Sequence, residues 1–472
     1  IGHSALREQN GASAGDNFHN TAVGYQAGKS VTTGTENTIM GSLAGDALTT
    51  GSYNVAIGKG ALSLEDTGGT NVAIGYNALT VQDAGANAYN VAIGFDTGKA
   101  VSTGVQNTLI GGAAGDAITT GEGNTTLGYG SLSGNSTGDY NTAIGYQALL
   151  TYSSADGTGH NVAVGVNTGL AMTTGTSNVF IGNFAGDALT TGKDNVAVGT
   201  GSLSAANAGN RSVAIGKQAL ETQNAGSAGQ NMYNVAVGYQ AGQDITTSTN
   251  NALVGSFAGK DLTTGNENVA MGSYALSEED TGKRAVAIGH EALKAQNTDI
   301  ADSRTYNVAV GYQAGLAVTV GGYNTLLGAR SGDAIESGHN NTAIGYQALS
   351  TNVDGDANVA IGNYALQDFE ADTDGHGSNV AIGYTAMLEC TTGTVNTAVG
   401  AAAMGNAIVT GDYNVSLGYR AGYEITSGNQ NTILGSQTGD ALTTGDNNII
   451  IGYAAAASAV DVDNTTVIGT TS

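Results

Sequence analysis

The sequence predicts an all-β fold: a repetitive parallel β-solenoid, or β-roll, of about 27 coils with a 17-residue period. Three observations carry that expectation. A five-residue motif recurs along the whole chain, mostly at one spacing. Glycine is abundant, with 75 of 472 residues, while proline and tryptophan are absent. Only 11% of residues are charged, and large aromatic residues are few. A globular core of this size would draw on more Leu, Phe and Trp. A thin core repeated many times would not.

The motif reads Asn, then Thr or Val, then usually Ala, then an aliphatic residue, then Gly. Examples are Asn20-Thr21-Ala22-Val23-Gly24, Asn54-Val55-Ala56-Ile57-Gly58 and Asn379-Val380-Ala381-Ile382-Gly383. Its glycine occurs 27 times, and 19 of the 26 intervals between copies are 17 residues. That period suits one solenoid turn of short strands and is too short for a two-helix repeat. Glycine at this frequency would also weaken helices. The missing proline agrees with a continuous ladder, because proline has no N–H to donate. Collagen is excluded, since glycine does not fall at every third residue.

Most of the longer intervals follow three short ones, as after Gly75, Gly145, Gly216, Gly289 and Gly362. The chain therefore reads as one continuous array, residues 1–472, built from four-coil superrepeats of 70 to 73 residues. The pattern shifts near Gly418, as if the array had grown or shrunk by blocks. Ile1-Gly2 reads as the tail of a broken repeat, so the expectation is a fragment of a longer chain.

Strand alternation puts the residues flanking the central motif position on one face. The expectation is that the aliphatic residue before Gly, and the Val or Thr two places earlier, point into the coil. The central residue, usually Ala, then faces outward. In second coils of the superrepeat it is large: Ile39, Leu109, Phe180, Leu253, Leu326 and Ile433. Outward apolar residues recurring along one face predict a seam between copies. The Asn side chains are expected to bridge stacked coils at a turn. Thr-Thr-Gly runs such as Thr32-Thr33-Gly34 are expected at the opposite turn.

The net charge of −25 repels phosphate backbones and excludes nucleic acid as a natural partner. No apolar run approaches a membrane span, so no membrane insertion is expected. The six His are scattered without metal-ligand spacing, and neither metal nor cofactor is expected. Acidic groups such as Glu65-Asp66 and Glu278-Glu279-Asp280 read as solvated turns. Asp46, Asp116, Asp187, Asp333 and Asp440 head equivalent turns, where bonding to the local backbone is expected. Cys390, the only cysteine, reads as a small buried residue. No nucleophile–base constellation stands out, so the chain is not expected to be an enzyme. The extra residues after fourth coils carry Phe18, Tyr89, Tyr152, Tyr233, Tyr306 and Phe369 among Asp, Asn and Gly. That mixture suits adaptable contact surfaces, making these six the candidate receptor-contact residues.

The runs Asn141 to Leu149 and Asn341 to Leu349 read Asn-Thr-Ala-Ile-Gly-Tyr-Gln-Ala-Leu. This pattern resembles repeats of phage tail-fibre proteins. It is also similar to the head repeats of trimeric autotransporter adhesins, although those are shorter than 17 residues and no heptad stalk follows here. The resemblance implies a homotrimer of left-handed parallel β-rolls used for attachment. It further implies an extracellular place, on a virion or cell surface, and a host receptor or glycan as partner. The alternatives are a bacterial surface adhesin or extracellular filament and, further off, an ice-binding solenoid with stacked Thr.

Overall fold

The computed structural model describes residues 1–10, 17–154, 157–297, 304–370, 376–456 and 459–470. It is an all-β parallel solenoid, and no helix occurs among the described residues. Each motif copy after the broken one at Gly2 forms a three-residue strand, giving 26 strands. The chain divides into two compact units. The first, Ile1–Tyr233, holds β1 (Thr21–Val23) to β12 (Val213–Ile215). The second, Asn234–Ser472, holds β13 (Val235–Val237) to β26 (Thr466–Ile468).

Within each unit, successive strands pair in parallel and in strict register. In the first, Val55, Ala56 and Ile57 face Val72, Ala73 and Ile74. In the second, Val286 pairs with Val308 although 22 residues separate them. The additional residues of long intervals lie outside the strands, so the ladder is undisturbed.

The orientation expected for the strands is reversed. The central residue is buried in β1 to β25, while its two neighbours are half-buried or exposed. Ile39, Leu109, Phe180, Leu253, Leu326 and Ile433 are fully buried inside the coil and form no seam. The reason is volume. A coil is narrow, so the interior strand position is mostly Ala where a Leu also enters from the turn. Where the central residue is large, it fills space left by glycines four residues after the motif Gly. A Cβ on Gly28 would come 2.8 Å from the Ile39 side chain, and one on Gly186 would come 2.9 Å from Phe180. Leu326 fills the same space over Gly315 and Gly332, at 2.7 and 2.8 Å.

The motif glycine bends the chain out of the strand. Gly24 has φ 137°, and its missing Cβ would lie 2.7 Å from the Gly41 carbonyl carbon of the next coil. Only glycine fits that approach. The chain then runs through consecutive tight turns, closed by Ala27 N donating to Gly24 O and Val31 N to Gly28 O. Left-handed residues recur two and four places after the motif Gly, and again just before each motif Asn, as at Gln26, Leu62 and Tyr53.

The Asn ladder is formed as expected. Wherever the preceding coil carries Asn, the backbone N–H at this position donates to its side-chain oxygen, as Asn54 does to Asn37 at 2.9 Å and Asn71 to Asn54 at 3.0 Å. The same Asn donates its amide to the carbonyl of a Gly 14 residues on, such as Asn37 Nδ2 to Gly51 at 2.9 Å. Thr-Thr-Gly runs therefore share a corner with the Asn and do not form an opposite turn. Each such bond contributes roughly 0.5–1.5 kcal/mol, so the ladder matters through repetition. Cys390 is buried and free, and burial pushes its thiol up to about 12, which leaves it unreactive.

Candidate functional site

The outward residues of the strands make a surface of unusual composition. In all 26 strands neither flanking residue carries a charge. The first of the two is Val in 14 strands and Thr in ten, and the second is always Val, Ile, Leu or Met. Many are well exposed, among them Met40, Leu127, Ile181, Val235, Met271 and Leu327. In a chain of net charge −25, an uncharged face maintained through each unit needs a physical reason.

Stacked aromatic pairs border this face on both sides. One set lies directly after the motif Gly, where Tyr76 stacks on Phe95 at 5.1 Å and Tyr129 on Tyr146 at 5.8 Å. The other set lies directly before the motif Asn, where Tyr140 stacks on His160 at 5.5 Å and Tyr306 on Tyr323 at 5.3 Å. Parallel strands carry equivalent residues past one another at about 4.8 Å, which sets this stacking.

The six aromatic residues expected to make receptor contacts divide by position. Tyr89 and Tyr233 are exposed, Phe18 and Tyr306 half-buried. Tyr152 and Phe369 are fully buried, which removes them from any contact surface. Both sit seven residues after a motif Gly, a position that points inward in every superrepeat, and they cover Gly138 and Gly355. A turn residue three places after a buried Leu cannot also face solvent. Tyr89, Tyr233 and Tyr306 all hold the left-handed position before the motif Asn, and of the three Tyr306 joins an aromatic stack, with Tyr323.

The acidic turns also need correction. Glu65 and Glu279 are fully buried rather than solvated. Glu65 Oε1 accepts from Gly68 N at 2.6 Å and its Oε2 from Gln82 Nε2 at 3.2 Å. Gln82 passes the chain on by accepting from Asn90 Nδ2. Glu279, Gln296 and Asn307 repeat the arrangement in the second unit. Burial pushes the Glu65 carboxyl above the usual range, against the pull of these hydrogen bonds. The Glu65, Asp66 and Asp83 oxygens lie within 4.8 Å of one another, but both Glu65 oxygens are already committed. At the equivalent turns of Asp116, Asp187 and Asp333, burial likewise raises the carboxyl, and each leaves Oδ1 without a partner.

The hydroxyl of the first Thr in most Thr-Thr-Gly runs is committed too, as is that of Thr426 in a Thr-Ser-Gly run. Thr32 Oγ1 donates to Thr49 O at 3.1 Å, Thr190 to Asn207 O at 2.7 Å and Thr426 to Thr443 O at 3.1 Å. Each points along the stack to the following coil. The second Thr of the run faces outward instead, with Thr33 and Thr50 exposed.

No helix among the described residues is long and apolar enough to cross a membrane. Neither a family model nor a curated protein matches the chain.

Sequence reasoning missed the outward face because it assigned those residues to the interior. Two signals could have found it. The central residue is large only where nearby turns carry Gly in place of Leu, which marks it as core. The second flanking residue stays Val, Ile, Leu or Met whichever turn is beside it, as expected of a side chain that faces away from the turn.

Proposed function

We propose that the chain is a structural fibre or shaft segment used for attachment, in which copies associate through the uncharged strand face. The observation that carries this reading is the absence of any charged residue among the outward strand positions of a strongly acidic chain. Copies repel one another wherever their charged turns meet. Burial of Val, Ile, Leu and Met against the same face of another copy offsets that repulsion at about 25 cal/mol per Å². A copy of this chain also matches the coil spacing, so side chains can interdigitate strand after strand. The resemblance to tail-fibre and adhesin repeats makes a homotrimer the expected assembly, placed on a virion or cell surface and meeting a host receptor or glycan.

Absolute mass by light scattering behind size exclusion tests the reading. The chain is 46.7 kDa, so three copies weigh about 140 kDa. Replacing Ile57, Ile74 and Ile93 together by Lys should release monomers whose circular dichroism is unchanged. A wild-type monomer would overturn the proposal. Thermal hysteresis in such a monomer would instead assign the flat Thr and Val rows to ice.

A further inference from the structure

The second unit contains one corner where the repeat departs from its own rule. Three consecutive coils there bring together Asn266 and Glu267, Lys283 and Arg284, and Arg304 and Tyr306. Arg284 N donates to Asn266 O at 3.1 Å, Thr305 N donates to Lys283 O at 3.1 Å, and Lys283 and Arg304 face each other as a parallel bridge. Asn266, Glu267, Lys283, Arg284 and Arg304 line a cavity of about 260 Å³.

Three of the chain's 14 Lys and Arg residues meet at this point, against one lining carboxylate. The guanidinium of Arg284 is fixed from two sides. Its Nε donates to Glu267 Oε2 at 2.6 Å and its Nη1 to the Tyr306 hydroxyl at 2.8 Å. The Arg284 charge also lies 5.7 Å from the Tyr306 ring, which is itself stacked on Tyr323. Held this way, the guanidinium loses little side-chain freedom when a further acceptor binds. The local field is positive despite the charge of the whole chain. Arg284 holds the Tyr306 hydroxyl and the Glu267 carboxyl below their usual ranges, with Arg304 acting in the same direction on both.

The other superrepeats act as internal controls. At the corresponding corners the chain carries Gly69, Thr70 and Asn87, or Asp139, Tyr140 and Thr158. Elsewhere it carries Asn210, Arg211 and Asn231, or Asp356, Ala357 and Gly377. Counted over the same three coils, the Arg211 corner adds Lys193 and holds two cations, with Arg211 likewise between Asp194 and Tyr233, and the other three corners hold no Lys or Arg. An array that repeats its packing faithfully has no structural need for three cations at one corner only.

We propose that Lys283, Arg284 and Arg304 form a binding site for a single carboxylate or sulfate group borne on a sugar. The size of the cavity and the rigid guanidinium suit one planar or tetrahedral oxyanion. The neighbouring Asn266 and the Tyr306–Tyr323 stack supply the polar and aromatic surface that a sugar ring uses. A long polyanion is disfavoured, because the rest of the chain would repel it. The proposal rests on the attachment reading only for its biological setting, since binding itself can be measured on the isolated protein.

Saturation-transfer NMR tests it on the full chain, with sialyllactose and N-acetylglucosamine 6-sulfate as probes and lactose and inorganic sulfate as controls. Signal is expected for at least one acidic sugar and absent for lactose. The pair Lys283→Gln and Arg304→Gln should weaken binding at least about tenfold, the scale of a lost bond to a charged group. Lys217→Gln, in the first unit, should leave it unchanged. Added salt should weaken binding in the wild type. Absence of signal for both acidic sugars overturns the proposal, as does equal binding by the double variant. Inorganic sulfate binding as tightly as the sugars overturns the sugar assignment. If the wild type holds to cells but binds neither acidic sugar, attachment stands and this site falls. If the sugar binds but cells do not, the site stands without the attachment reading.

Discussion

Coils with Gly four residues after the motif Gly and coils with Leu at that place solve one packing problem in opposite ways. In the first kind, the turn contributes no side chain at that point. The interior is filled from elsewhere, by Val31 or Leu48 three residues on and by Ile39 from the strand. In the second kind, Leu62 or Leu79 reaches in from the turn, and the strand contributes only Ala56 or Ala73. The residue three places on is then free to be polar, as Glu65 and Gln82 are. It folds back onto the backbone, much as Asn135 accepts from Gly138 N at 2.8 Å and Asn352 from Gly355 N at 3.0 Å. Interior volume is conserved while its source moves around the ring of each coil. Close packing of this kind tolerates exchange between positions but not net gain or loss.

The most damaging way to break this compensation is Phe180→Ala, which empties the space over Gly169 and Gly186. A loss of about 3–5 kcal/mol is expected, read by chemical denaturation. Gly186→Leu alone converts the turn to the other kind without vacating the strand position. It should cost roughly 1–3 kcal/mol through overpacking against Phe180. The double variant should be clearly more stable than the two losses added together, because it turns one coil kind into the other. Strict additivity would mean the two positions do not share the space.

Next in size is Asn54→Ala, which removes the acceptor for Asn71 N and a donor to Gly68 O. About 1–3 kcal/mol is expected. The chain already accepts Ala285 and Ser212 at this ladder position, so the fold should survive.

A smaller effect distinguishes the polar interiors by pH. Glu65, Asp116, Asp187 and Asp333 all have carboxyls raised by burial. A folded value above the unfolded one means stability is fullest below the ordinary carboxylate range and is lost as pH rises through the raised value. The melting temperature of the wild type should therefore rise as pH is lowered from 7 towards 4. Glu65→Gln should shrink that gain. The smallest effect is expected at Thr126 and Ser416, whose buried hydroxyls lack partners in the strand interior. Thr126→Val and Ser416→Ala should each stabilise by about 1 kcal/mol, measured as a shift in the denaturation midpoint.

Much of the fold was legible because the repeat makes each residue type speak many times. The coil period, the strands and the inter-coil Asn bonds all followed from motif spacing. The facing of the strand did not, since a shift of one residue exchanges its two sides completely. Neither side carries charge, so the usual cue was missing, and Ile57 or Val55 looked more like core than Ala56. Tyr152 and Phe369 misled for a related reason. Their neighbourhood reads as loop, yet the position seven residues after the motif Gly is set by the coil. The corner at Lys283, Arg284 and Arg304 was hidden because a long interval separates the last of these from the others. Only the observed register brings them together.

The Asn ladder has a further consequence for how such a chain changes over generations. Nearly every coil takes an amide acceptor from its predecessor and offers an equivalent one to its successor, Ser212 and Ala285 being exceptions, so most junctions are chemically interchangeable. Duplicating or deleting a whole coil restores the same junction, whereas a partial coil leaves mismatched donors and an inverted strand. Length in this array is therefore quantised. Natural variants are expected to differ by whole coils or whole superrepeats, with odd-sized insertions confined to the loops that the register already ignores.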